Sequence, residues 1–224
     1  MQAGRKTYSK REVIGLTGGT FDPIHFGHLR MAQELAESLQ LSAVRFLPAA
    51  HPPHKPPPIV SAEHRSAMVR LGIAGNAIFS CDERELHRVG ASYTIDTLLS
   101  LRNELGADIS LVLLMGSDAF TKFDTWHHWQ EIIQLCHISL VQRPEEGKQE
   151  PLSEALHNFL QSHYTEDTDD LHRMPSGFVT MQKVTALDIS STVIRRQLKQ
   201  QHSVRYLLPD SVIEYIRTYQ LYTK

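Results

Sequence analysis

The stretch Val13-Ile14-Gly15-Leu16-Thr17-Gly18-Gly19-Thr20-Phe21-Asp22-Pro23-Ile24-His25-Phe26-Gly27-His28 decides the fold. Its first four residues form a short apolar run of the kind a strand buries on both faces. A glycine-rich turn follows at once, and Leu29, Ala32, Leu35, Ala36 and Leu39 then recur at helical spacing. Strand, glycine turn and helix in that order put a helix N-terminus beside permissive backbone. There, unpaired N–H groups and the helix dipole favour a phosphate. His25 and His28 lie three apart, so both can face one side of the opening turn and donate hydrogen bonds to phosphoryl oxygens. The Walker pattern and the dinucleotide fingerprint are both absent. Two histidines at this spacing also fit a half-built metal site, for which no third ligand stands out.

Outward from this unit, the chain keeps alternating between short apolar runs and longer amphipathic segments. Residues 43–47 read as a second strand, ending in the proline-rich loop 51–58 that carries Lys55. Ser61 can cap a helix running to about Ala74. A third strand is expected at 78–80 and a helix at 94–105. Residues 109–115 are the most apolar run and so the central strand. A helix over 125–135 and a strand over 138–141 follow. From 144 to 175 the rhythm breaks into polar sequence with the acidic stretch 166–170 and one short helix near 152–160. A strand at 178–184 and helices at 191–199 and 209–219 complete the pattern. Such alternation predicts a doubly wound α/β fold with a parallel sheet. Ligands then bind beyond the carboxyl ends of the strands, in the loops after Leu16, Leu47, Met115 and Val141. The expected organisation is one domain over 1–224, with a polar tail at 1–11, a variable insert at 144–175 and a helical part from 186 onward.

Of 224 residues, 41% are apolar, enough for a sizeable core, and the formal net charge of −2 gives no footprint for nucleic acid or membrane. Cys81 and Cys136 stand far apart, which excludes a disulfide framework and predicts two reduced, interior thiols. No signal peptide or membrane-length apolar run is visible, so a cytoplasmic protein is expected.

A second motif, Ile189-Ser190-Ser191-Thr192-Val193-Ile194-Arg195, places hydroxyls at a helix start and an arginine one turn inside. Alone it reads as ordinary capping. With the first motif it resembles the paired H-x-G-H and I-S-S-T-x-x-R signatures of the nucleotidylyltransferase superfamily, whose members share a Rossmann-like fold. The resemblance implies an ATP site of Gly18, Gly19, Thr20, Phe21, His25, His28, Gly116, Asp118, Ile189, Ser190, Thr192 and Arg195.

Further segments resemble the bacterial nicotinate-nucleotide adenylyltransferase family: the proline loop with Lys55, the run Asp82-Glu83-Arg84-Glu85 before Ser92-Tyr93-Thr94, and Met115-Gly116-Ser117-Asp118. Trp126 and the Arg143-Pro144 pair also match. This likeness implies adenylyl transfer from ATP to nicotinate mononucleotide, giving nicotinate adenine dinucleotide and pyrophosphate, a step of NAD biosynthesis. It assigns the acceptor to Thr20, Phe21, Lys55, Thr94, Asp118, Trp126 and Arg143, with the Trp126 indole stacking on the pyridine ring. Charge stabilisation falls to His25, His28, Lys55 and Arg195, and Mg2+ is expected to ride on the ATP phosphates rather than on protein ligands. Each segment has a plainer reading: Trp126 as core, Asp118 as a cap, Glu83 and Glu85 as a solvated face. Rival acceptors are nicotinamide mononucleotide and phosphopantetheine. A silent nucleotide-binding regulator should have lost a histidine or Arg195, and this chain has kept them. The expected assembly is a monomer or homodimer.

Overall fold

A computed structural model describes residues 11–52, 57–142, 151–185 and 187–223. Six strands form one sheet in the order β3-β2-β1-β4-β5-β6, every neighbouring pair parallel. They are β1 (Val13–Gly19), β2 (Ala43–Pro48), β3 (Phe79–Cys81), β4 (Ser110–Gly116), β5 (His137–Gln142) and β6 (Val179–Lys183). The helices are α1 (Phe26–Ser38), α2 (Ala62–Ile73), α3 (Thr94–Leu105), α4 (Ser117–Phe120), α5 (Trp129–Leu135), α6 (Glu154–His163), α7 (Asp170–Arg173), α8 (Ser191–Lys199) and α9 (Asp210–Thr218).

The doubly wound expectation holds, and its cause is visible in β4. Leu111, Leu113 and Met115 point into one core with residues of α3, α5 and α6, whereas Val112 and Leu114 point into the other with residues of α1, α2 and α9. Side chains alternate across a strand, so a strand covered on both faces must be apolar at every position. Ser61 caps α2 as expected, its hydroxyl accepting from the His64 N–H.

The sequence reading needs four corrections. The helix expected over 125–135 is a 3-10 turn (Phe123–Thr125) followed by a break, and α5 starts only at Trp129. His128 at φ 51° sits in the left-handed region and resets the chain direction there. The stretch 144–175 holds two helices instead of one, and both are docked: Leu156 and Phe159 of α6 and Leu171 of α7 are buried in the cores. Ser153 fixes α6 by accepting from the Leu156 N–H and donating to Asp124 Oδ2 at 2.6 Å. Cys136 is fully buried, but Cys81 is only half-buried. Finally, Glu85 does not belong to a solvated face, for it is 7% exposed.

Burial also gives β5 a pH-sensitive residue. His137 Nδ1 accepts from the Phe178 N–H at 3.0 Å, and Nε2 pairs with the Met174 carbonyl at 2.9 Å, so the neutral ring is fully engaged. Burial pushes its pKa from 6.5 down to about 4. Between those values the unfolded chain binds a proton that the folded chain refuses, so stability falls as pH drops from about 6.5 to about 4. The loss should approach about 3 kcal/mol. Urea unfolding across that window should show the slope in the native protein and a flatter one in His137→Gln.

Candidate active site

β1 and β4 lie side by side where the strand order reverses, which leaves a crevice beyond their carboxyl ends. Gly18 and Gly116 line it. A Cβ placed on either would meet nothing within 4 Å, so the space between the two strand ends is open. Gly19 is covered instead by the Phe21 ring, whose nearest atom would be 3.0 Å from a Cβ there. Phe21 reaches this position because its backbone is left-handed, at φ 48°, and its ring then meets His28 edge-on at 5.1 Å. Thr20 Oγ1 is sealed from solvent and finds no hydrogen-bond partner among the described residues.

His25 is the N-cap of α1 and His28 stands in the first turn, as the spacing requires. Their rings stack with centroids 3.7 Å apart. The His25 backbone N–H donates to His28 Nδ1 at 3.3 Å. A neutral His28 ring therefore carries its proton on Nε2, which makes that edge a donor. Gly27 is required by close approach: a Cβ there would fall 3.0 Å from His25 Nδ1 and 3.1 Å from Cε1. A Gly27→Ala protein should lose about 10- to 100-fold in kcat/KM through displacement of the His25 ring. Its Tm should hold or rise, because alanine is the better helix former by about 1 kcal/mol. An activity assay beside a thermal melt checks both halves.

The second motif is bolted to the first. Ser190 caps α8 by accepting from the Val193 N–H. Ser191 Oγ donates to the Pro23 carbonyl at 2.9 Å. Arg195 Nη1 donates to the Asp22 carbonyl at 2.7 Å, and Nη2 donates to Thr192 Oγ1 at 3.3 Å. The Ile189 carbonyl lies 3.5 Å from where a Gly27 Cβ would stand. Residues far apart in the chain thus form one surface, with the two histidines and Arg195 on it.

Three supporting residues escaped the sequence reading. Asp22 is buried, and its Oδ1 accepts from the Tyr222 hydroxyl at 2.7 Å while Oδ2 accepts from the Ile59 N–H at 3.1 Å. Burial and the neighbouring Asp22 carboxylate hold the Tyr222 phenol far above its ordinary pKa, so it stays a donor. The third is Arg65, 1% exposed, which donates to the carbonyls of Thr20 at 2.6 Å, Ala50 at 3.4 Å and Val60 at 3.4 Å. One guanidinium therefore pins three loops around the cleft; burial lowers its pKa, against the pull of Asp22. The available signal was positional: Arg65 falls in the stripe of Met68, Val69 and Ile73, where a surface charge does not belong.

Of the residues expected to take the acceptor, Thr94 opens α3, whose first-turn N–H groups have no intrahelical partners. The Tyr93 ring packs 4.5 Å from His127, which brings the Trp126 loop beside that helix start. Trp126 is half-buried and meets Phe123 edge-on at 5.5 Å. Asp118 is exposed on α4, just past the end of β4. Lys55 and Arg143 lie outside the described residues.

A family model described as cytidylyltransferase-like matches residues 16–197. A Pseudomonas fluorescens protein named "probable nicotinate-nucleotide adenylyltransferase" is 48% identical over 93% of this chain and 96% of its own length. Proteins of the same name from Dechloromonas aromatica, at 47% over 94% of this chain and 98% of theirs, and Acidithiobacillus ferrooxidans, at 43% over 96% and 97%, agree with it. The chain belongs to the nicotinate-nucleotide adenylyltransferase family. The Plasmodium falciparum nicotinic acid mononucleotide adenylyltransferase solved with NaAD superposes on it with a TM-score of 0.71, covering 95% of this chain and 98% of that one. At 17% identity that likeness speaks for the adenylyltransferase fold alone. Among the described residues no helix is long and apolar enough to cross a membrane.

Proposed function

We propose that this chain transfers the adenylyl group of ATP to nicotinate mononucleotide, giving nicotinate adenine dinucleotide and pyrophosphate. The observation that carries the reading is the joint between the motifs: Arg195 and Ser191 hold the Asp22-Pro23 turn, which ties the start of α8 to the chain that leads into His25 and His28. ATP lies with its phosphates against the α1 and α8 N-termini and its backbone contacts at Gly18, Gly19 and Gly116. The acceptor occupies the side bounded by Thr94 and Trp126, its ring near the indole and its carboxylate toward the α3 start.

The acceptor's 5′-phosphate is already ionised at neutral pH, so no side-chain base is needed. Its oxygen attacks the α-phosphorus, and the bond to the pyrophosphate oxygen breaks. The chain's contribution is to align the two phosphates and to offset charge on the leaving group through the His28 Nε2–H and the Arg195 guanidinium. Magnesium, brought in on the ATP phosphates, would supply further positive charge to the leaving pyrophosphate.

Pyrophosphate release from ATP and magnesium, run with nicotinate mononucleotide, nicotinamide mononucleotide and phosphopantetheine, tests the proposal. Preference for the acid is expected. Preference for either other acceptor would overturn the assignment of Thr94 and Trp126 while leaving the family unchanged.

A further inference from the structure

α6 belongs to neither sequence motif, yet it grips the turn that carries Trp126 in two ways. The first is polar. Ser153, the N-cap of α6, uses both sides of its hydroxyl: the oxygen accepts from the Leu156 N–H at 3.2 Å, and the proton goes to Asp124 Oδ2 at 2.6 Å. Asp124 stands in the 3-10 turn that the Trp126 N–H closes by donating to the Phe123 carbonyl at 3.0 Å. The second is aromatic. Phe159 of α6 meets the Phe123 ring at 5.7 Å and the Trp129 ring edge-on at 5.4 Å, and Phe123 meets Trp126 edge-on at 5.5 Å. Apolar packing of this kind is non-directional and sets how deep the turn sits. The short charge-assisted bond to Asp124 is directional and sets how the turn is rotated.

We propose that Asp124 and Ser153 form a positioning pair for the acceptor's ring: by fixing the turn at 123–126 against the α6 N-terminus they set the tilt of the Trp126 indole, and with it the affinity for a flat-ringed mononucleotide. This rests on the placement of the acceptor ring against Trp126 given above. It gives the stretch 144–175 a part in substrate binding. The side proposed for ATP is braced separately, by Arg65, Asp22 and Arg195, so a disturbance at α6 should fall on one substrate.

The test exchanges the two partners. Ser153→Asp keeps a residue that caps a helix as well as serine does, but turns a second carboxylate onto Asp124. The double variant Asp124→Ser/Ser153→Asp restores one hydroxyl and one carboxylate with the same combined reach, and keeps the cap. In steady-state pyrophosphate release, Ser153→Asp should raise the acceptor KM about three- to tenfold with KM for ATP within about twofold, and the exchange should recover most of the loss. Trp126 itself supplies a readout without turnover. The chain has two tryptophans, so Trp129→Phe leaves Trp126 as the only indole. In that background nicotinate mononucleotide, titrated alone and beside a non-hydrolysable ATP analogue, should quench the fluorescence, and adding Ser153→Asp should shift the midpoint by the same factor. Equal rises in both KM values, an acceptor KM unmoved by Ser153→Asp, or a loss that the exchange does not recover would each overturn the proposal while the quenching keeps the acceptor at Trp126. Absence of quenching with the pair intact would instead overturn the placement of the ring against Trp126, and the proposal with it.

Discussion

A His28→Ala protein should bind ATP nearly as well as the native chain and turn it over about 10²- to 10³-fold more slowly. The reasoning starts from one hydrogen bond. The His25 N–H occupies His28 Nδ1, which places the proton of the neutral ring on Nε2 and gives that edge a fixed direction. A donor held by the backbone need not reorganise when charge gathers on the departing pyrophosphate, which is where such groups contribute most. On the proposed placement of ATP, ground-state binding is shared with backbone N–H groups of α1 and α8, so KM for ATP should move by no more than about threefold. His28→Gln, which can present an amide near the Nε2 position, should recover part of the loss. A raised KM with intact kcat would instead make His28 a ground-state anchor and remove it from the chemistry.

The second large effect concerns a residue that touches no substrate. Arg65→Met should lower stability by about 3 kcal/mol, because the Thr20, Ala50 and Val60 carbonyls lose a charged donor in a setting where water cannot replace it. For a chain of this size that corresponds to a Tm lower by roughly 6–12 °C. Arg65→Lys should rescue little, since one ammonium cannot span three carbonyls as a planar fork does. Activity measured well below the new Tm should remain depressed, because Thr20 is no longer held against the crevice. Full activity in the cold would reduce Arg65 to a purely structural clamp.

Much of this architecture was legible in the chain, and the reasons differ from place to place. β4 announced itself because both of its faces are covered, which leaves no polar position to confuse the pattern. The two helix starts were legible because a glycine turn after a strand and adjacent hydroxyls before a periodic run both announce a helix N-terminus. The break at 126–128 was hidden, since Trp126, Trp129, Ile132 and Ile133 keep helical spacing straight through it and only the backbone of His128 departs. The burial of Glu85 was hidden for a related reason. It sits in a run of four charged residues, and nothing local says that the third strand and α3 will close over one of them. Arg65 and Tyr222 act on partners that only tertiary folding brings near, and periodicity carries no record of partners.

The bond from the Tyr222 hydroxyl to Asp22 spans 200 positions of the chain. A nascent polypeptide that stops short of Tyr222 contains every residue of both motifs, yet lacks the hydroxyl that braces Asp22. Contacts of such long separation close late, because the intervening loop must be ordered first. The proposed transfer should therefore set in late, once the segment after α9 has docked Tyr222 on Asp22.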